Sequence, residues 1–184
     1  MGPGLRAVFL DRDGVLVRSA PYASRPEQIA LYPGAAEALI RLEAAGYRRI
    51  LVTNQSGVAR GLIRSEELER LHSHLQSELM ARGAALDGIY ACPHHPEIDG
   101  PCPCRKPAPG LFLRAAAELG LSLGDSYVVG DRWSDIDAGL AAGIRGILVE
   151  TGHGKEERSA QPARREPVVK DLAAAALWIL RDRS

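Results

Sequence analysis

The stretch RAVFLDRDG, residues 6–14, decides the frame: an apolar run from Ala7 to Leu10 breaks directly into two acids and a glycine. A run this short, with branched and aromatic side chains and a hard stop, reads as a strand rather than a helix. The same signature recurs at RRILVT (48–53), GIYAC (88–92), SYVVG (126–130) and IRGILVE (144–150). Helical periods fill the gaps. GAAEALIRLEAAG places Ala35, Leu39 and Leu42 on one face and stops at Gly46. SEELERLHSHLQSELMARG carries the stripe Leu68, Leu71, Leu75, Leu79 from a Ser65 cap to Gly83, with His72 and His74 read as surface residues. LFLRAAAELG ends at Gly120, SDIDAGLAAG ends at Gly143, and DLAAAALWILRD forms a last helix. Strand and helix alternating along a chain predict an α/β protein of three layers, a parallel sheet with helices on both faces.

Two segments interrupt the rhythm. Residues 14–33 have no long period and carry Pro21, Pro26 and Pro33, an excursion between the first strand and first helix. Residues 152–167, GHGKEERSAQPARREP, are polar and predict a surface loop, in which His153 is expected to face water. A chain of 184 residues, 46% hydrophobic, suffices for one substantial core, so a single domain spanning residues 1–184 is expected. With 23 basic and 23 acidic residues, no global field recruits nucleic acid or an anionic membrane, and 5% aromatic residues offer bases little to stack on. No apolar stretch approaches a membrane span and no leader pattern is visible, so a cytoplasmic monomer acting on a small molecule is expected.

In open α/β sheets ligands bind beyond the carboxyl ends of the strands. At those ends stand Asp11, Arg12, Asp13 and Gly14; then Thr53, Asn54, Gln55 and Ser56; then Asp131 and Arg132, with Asp135 and Asp137 following. Any one acid there can simply cap the next helix, as Asp135 can, but three strand ends converging acids, amides and a hydroxyl indicate a site. Asp11 and Asp131 brought together would repel, and the usual remedy is a divalent cation; oxygen ligands suit Mg²⁺. Lys106 can supply a second positive charge.

These residues carry a resemblance. DRDGVL, TNQSG, a lysine ahead of a helix, and GDRWSD, in that order over residues 6 to 150, resemble the four motifs of the haloacid dehalogenase (HAD) superfamily of phosphohydrolases. The resemblance implies a Rossmann-like HAD fold without a large cap, since no cap domain fits the spacings. It implies that Asp11 is a carboxylate nucleophile toward phosphorus and Asp13 the general acid and base. It places Mg²⁺ on Asp11, Asp131 and the backbone carbonyl of Asp13, and gives Thr53 and Lys106 the phosphoryl oxygens. Asn54, Gln55 and Ser56 are expected beside the substrate.

The loop CPHHPEIDGPCPC, residues 92–104, holds every cysteine of the chain. Cys92, His94, Cys102 and Cys104 form a C-x-H … C-x-C set, the donors of a closed tetrahedral Zn²⁺ site. A disulfide is disfavoured by the compartment and the odd count, and buried free thiols by the surrounding prolines and charges. Zinc ligation can order a loop too polar to order itself and aim Arg105 and Lys106 at an anion.

Within the superfamily this loop resembles a small zinc-containing group whose two main activities remove the 7-phosphate of D-glycero-D-manno-heptose 1,7-bisphosphate or hydrolyse histidinol phosphate. TNQSG resembles the heptose branch. The resemblance implies substrate contacts from Ser19 to Tyr22 and from Arg105 and Arg132. A reading of another class, a zinc-organised binding module without catalysis, has no use for Asp11 and Asp13 side by side with a metal acid and a lysine.

Overall fold

The computed structural model describes residues 4–18, 20 and 22–182. Six parallel strands form one sheet: β1 (Arg6–Leu10), β2 (Tyr47–Asn54), β3 (Gly88–Cys92), β4 (Tyr127–Gly130), β5 (Arg145–Val149) and β6 (Val168–Val169). Their spatial order is β3-β2-β1-β4-β5-β6, so the chain winds outward in one direction from β1 and in the other from β4. The winding reverses between β1 and β4, where the loops leaving adjacent strands diverge and open a crevice.

The helices are α1 (Ala35–Ala44), α2 (Ser65–Met80), α3 (Pro96–Asp99), α4 (Gly110–Leu119), α5 (Trp133–Ala141), α6 (Gly154–Ala160) and α7 (Leu172–Asp182). Successive β1 side chains alternate between two cores. Val8 and Leu10 pack with Leu39 and Leu42 of α1, Leu75 and Leu79 of α2, and Ala175 and Ile179 of α7. Ala7 and Phe9 pack with Leu111, Phe112 and Ala115 of α4 and Trp133 and Ile136 of α5. The expected three layers are therefore present, and all five anticipated strands lie where the apolar runs placed them.

Several local expectations change. Ser65 is the first residue of α2 rather than its cap; Arg64 caps it, its backbone N–H donating to the Glu67 carboxylate at 2.8 Å. The segment expected as a polar loop contains α6, whose sequence GKEERSA buries only Gly154 and so shows no apolar period. β6 is too short to leave a sequence pattern. Among the described residues the excursion after β1 holds a 3₁₀ turn, Pro26–Gln28, and isolated bridges that pair Val17 with Asp13 and with Leu31, and no cap domain occurs. Among the described residues no helix is long and apolar enough to cross a membrane.

Candidate active site and thiol cluster

The pairing that puts Leu10 beside both Leu51 and Val129 brings the ends of β1, β2 and β4 together. They open onto a cleft of about 490 Å³ lined by Asp11, Asp13, Tyr22, Thr53, Asn54, Gln55, Ser56, Arg105, Lys106, Asp131 and Arg132, all assigned to the site from the sequence, together with Arg12, Asp135 and His153. Ser19 lies outside the described residues.

At the floor, Lys106 is almost wholly buried, with Nζ 2.8 Å from Asp11 Oδ1, 2.7 Å from Asp135 Oδ1 and donating to the Val52 carbonyl at 2.7 Å. Burial works against its charge, but the two carboxylates outweigh burial and raise its pKa, so it stays an ammonium. Asn54 fixes the lysine's backbone: its Nδ2 donates to the Lys106 carbonyl and its Oδ1 accepts from the Lys106 N–H, each at 3.1 Å. The Asn54 amide is thus engaged with the peptide of Lys106.

Asp11, Asp131 and Asp135 present carboxylate oxygens within 4.8 Å of one another. Burial, then the neighbouring Asp11 charge, push Asp131 up to about 8, and burial pushes Asp135 up to about 6 against the pull of Lys106. Crowding buried acids this closely disfavours their charged forms and leaves a deficit of positive charge around them. A hard divalent cation such as Mg²⁺ fits both the oxygen donors and that deficit. The backbone is shaped to the same spot: Gly14 (φ 84°) and Gly152 (φ 57°) both lie against Asp131 Oδ2, where any Cβ would strike the carboxylate, and the His153 N–H donates to that oxygen at 2.8 Å.

Asp13 lies on the cleft wall. Its Oδ2 accepts from Arg12 Nε at 3.0 Å and Gln55 Nε2 at 3.1 Å, whereas Oδ1 is buried without a partner. Burial raises its pKa, with Arg12 opposing and Asp11 reinforcing. Gln55 Nε2 also donates to Thr53 Oγ1 at 2.9 Å. Tyr22 reaches the cleft from the excursion in a left-handed conformation (φ 52°), and Arg132, half exposed, sits 3.8 Å from Glu157. Such a site can attack a bound electrophile with Asp11, exchange a proton through Asp13 and hold an anion between Lys106 and a cation.

The thiol cluster lies in the loop after β3. His94 Nδ1 is 3.8 Å from Cys92 Sγ, 3.0 Å from Cys102 Sγ and 3.3 Å from Cys104 Sγ; Cys104 Sγ is 3.1 Å from Cys92 Sγ. All three cysteines are free, and the four donor atoms gather within 4.8 Å, a complete tetrahedral N and S set for Zn²⁺. Burial pushes the Cys92 thiol up, and burial with the neighbouring thiols raises Cys104, whereas at Cys102 hydrogen bonds from neighbouring groups outweigh burial and bring it down to about 7. His95 instead caps α3, accepting the Glu97 N–H through Nδ1, and its Nε2 meets Arg60 Nη2 at 2.7 Å. Arg105 donates to the His94 carbonyl at 3.1 Å, which ties the cleft arginine to the cluster's backbone.

Four residues differ, in whole or in part, from their sequence reading. Asp135 does cap α5, accepting the Arg132 N–H at 3.0 Å, but its other oxygen belongs to the acid cluster; its spacing four residues after Asp131 was the available signal. His72 is buried rather than on the surface, 3.5 Å from Arg12 Nη1, and burial with the Arg12 charge lowers it to about 4. His153 lines the cleft instead of only facing water, while Asp137 leaves the site to pair with Arg164 at 2.8 Å.

Comparison with known proteins gives a consistent family. A haloacid dehalogenase-like hydrolase model matches residues 8–85, and a second model of the same kind matches 103–175. The chain is 39% identical to D-glycero-beta-D-manno-heptose-1,7-bisphosphate 7-phosphatase of Yersinia pestis, covering 98% of this chain and 92% of that protein. It is 42% identical to D-glycero-D-manno-heptose-1,7-bisphosphate 7-phosphatase of Thermosynechococcus vestitus, covering 94% of each. Among solved structures, the D,D-heptose 1,7-bisphosphate phosphatase of B. bronchiseptica, complexed with magnesium and phosphate, superposes with a TM-score of 0.88 at 34% identity, covering 97% of this chain and 99% of that one.

Proposed function

The chain belongs to the haloacid dehalogenase-like hydrolases, and from that premise we propose that it is a Mg²⁺-dependent phosphatase acting on the 7-phosphate of D-glycero-D-manno-heptose 1,7-bisphosphate. The observation that carries the reading is the buried junction of Asp11, Lys106, Asp135 and Asp131 at the point where the sheet reverses its winding. A lone pair on Asp11 attacks phosphorus, the bond from phosphorus to the sugar oxygen breaks, and Asp13 protonates that oxygen as it leaves. In the second step water attacks the aspartyl phosphate, Asp13 takes its proton, and the carboxylate of Asp11 is regenerated with release of phosphate. Lys106 and Thr53 hold the transferring oxygens, the lysine kept in place by the Asn54 clamp. Asp11, Asp131 and the carbonyl of Asp13 would hold Mg²⁺, which when bound offsets the repulsion between a phosphate dianion and an anionic nucleophile.

Arg105 and Arg132 flank the cleft and suit a substrate with a second anionic group, with Tyr22 and Ser56 shaping its wall and Ser19 assigned there by resemblance. Zn²⁺ on Cys92, His94, Cys102 and Cys104 is structural, because four protein donors leave no open position. We take residues 1–184 as one domain, working as a cytoplasmic monomer on a dissolved sugar phosphate without nucleic acid or membrane.

Phosphate release with and without Mg²⁺ from both heptose bisphosphate anomers and from histidinol phosphate tests the proposal. One heptose anomer is expected to give the highest kcat/KM, and only with Mg²⁺. Preference for histidinol phosphate would overturn the substrate, and metal-independent turnover equal in wild type and Asp11→Asn would overturn the chemistry.

A further inference from the structure

Arg105 and Lys106 are consecutive, yet their backbones answer to different parts of the molecule. Arg105 belongs to the thiol loop: its N–H donates to the Cys102 carbonyl at 3.4 Å, and its guanidinium to the His94 carbonyl at 3.1 Å. Lys106 does not. Among the described residues the only partner of its backbone N–H, and of its carbonyl, is the Asn54 side chain, which meets each at 3.1 Å. The next residue, Pro107, has no N–H to offer, and the Ala108 N–H turns back to the Arg105 carbonyl rather than to the sheet. Asn54 is thus the one main-chain anchor of the lysine.

Asn54 closes β2, the strand between β3 and β1, so its amide is carried by the sheet and not by the loop. At the other end of the lysine, Nζ is fixed by Asp11, Asp135 and the Val52 carbonyl. A flexible stem of four carbons joins the two ends. Contacts at Nζ alone would let that stem follow the loop, whereas a stem held at both ends keeps the ammonium in one place. We propose that Asn54, although it lines the cleft, acts through Lys106 and not by touching the substrate: it is a positioning residue that insulates the lysine from the state of the thiol loop. The proposal rests on the phosphatase reading above and replaces the substrate contact expected of Asn54 from the sequence. A misplaced ammonium is felt in turnover more than in binding, since a shift of about 1 Å in such a site can cost about 10²-fold. The clamp, rather than zinc, then keeps turnover steady when the loop loosens.

Mg²⁺-dependent hydrolysis of p-nitrophenyl phosphate tests this without depending on the identity of the sugar. In the zinc-loaded protein Asn54→Ala is expected to lower kcat about 30-fold with KM within about threefold of wild type. Combined with Lys106→Met, itself expected to lower kcat about 10³-fold, it should add nothing further. After zinc is stripped, wild type is expected to keep kcat within about threefold, whereas Asn54→Ala loses about a further tenfold. Trypsin gives a readout apart from activity: the bond after Arg105 should be cut at least about fivefold faster in zinc-loaded Asn54→Ala than in zinc-loaded wild type. Asn54→Ser, too short to reach both groups, covers the case in which Asn54→Ala does not fold. A rise in KM at unchanged kcat, losses that add to those of Lys106→Met, equal tryptic rates, or a zinc effect on kcat that is the same in wild type and variant would overturn the proposal. The two levels stay distinguishable. A Lys106→Met protein with wild-type kcat would remove the lysine from the phosphatase reading, whereas the expected loss there beside an unaffected Asn54→Ala refutes only the role of Asn54.

Discussion

The acid cluster and the thiol cluster are both small sets of metal donors, yet they are built in opposite ways. Asp11, Thr53, Lys106, Asp131 and Asp135 come from across most of the chain, and the sheet brings them together whether or not an ion is present. Cys92, His94, Cys102 and Cys104 come from one loop with a single short helix of its own, whose partners are each other. The first site is a product of packing and spends stability to confine like charges. The second gains its order from ligation, because so polar a loop buries too little apolar area to offset its conformational entropy. Chemistry that depends on the first should therefore fail without unfolding, and removal of the second should loosen geometry without abolishing chemistry.

The sharpest test of that contrast is Asp11→Asn. Loss of the proposed nucleophile is expected to lower kcat by at least about 10³-fold, while the melting temperature stays near that of wild type because neither apolar core includes this side chain. A variant that loses activity only in proportion to lost folded protein would show that the acid cluster is structural after all.

His72 supplies the next largest effect, this time on stability. In the folded protein its pKa lies near 4 against an ordinary 6.5, so it stays neutral where the unfolded chain binds a proton. The unfolded state then holds more protons between those values, and stability falls as pH drops from about 6.5 toward 4, by about 3 kcal/mol at full extent. Above that window the term is flat. Urea titrations of wild type and His72→Gln across the window read it as a difference, which cancels Asp131 and Asp135, whose raised values act with the opposite sign. Parallel pH profiles for the two proteins would contradict the burial argument.

His72 also illustrates what the sequence could and could not carry. It lies four residues after Leu68 and three before Leu75, in phase with the apolar stripe, so its burial was legible from the helical period; only its residue type argued for the surface. The strands β1 and β3 were legible to the residue because short apolar runs end in abrupt breakers. Helix α6 was not, since a helix that buries only Gly154 has no period to read. The acids and the C-x-H … C-x-C set announced themselves by type and spacing. What Asn54 and Gln55 do with their amides was hidden, because their partners Lys106, Arg12 and Asp13 arrive through strand pairing and loop return rather than local sequence.

Zinc removal probes the other half of the contrast. A chelator strong enough to strip Cys92, His94, Cys102 and Cys104 is expected to raise KM about tenfold, roughly 1.4 kcal/mol of lost binding, with a smaller change in kcat. The reason is that Arg105 leans on the His94 carbonyl, whereas Lys106 is held independently by Asn54, Asp11 and Asp135. Limited proteolysis should cut within residues 92–104 while the circular dichroism of the sheet persists. Unchanged kinetics after complete, verified zinc loss would mean that the loop does not position Arg105.

The smallest effect asks how the two regions communicate. Besides Arg105, the clearest link is Arg60, in the loop after β2, whose Nη2 meets His95 Nε2 at 2.7 Å, beside a backbone bond from the Ala59 N–H to the Pro93 carbonyl. A hydrogen bond of this kind is worth about 1 kcal/mol net, so Arg60→Ala is expected to raise KM about fivefold at unchanged kcat. The informative quantity is its interaction with zinc removal. If ordering by the metal reaches the loop at residues 56–64 through His95, the imidazole is already displaced in the stripped protein and Arg60→Ala adds little there. Full additivity in the double cycle would instead show that zinc and Arg60 act on the substrate by separate routes, leaving Arg105 as the connection between the loop that ligation orders and the cleft that packing builds.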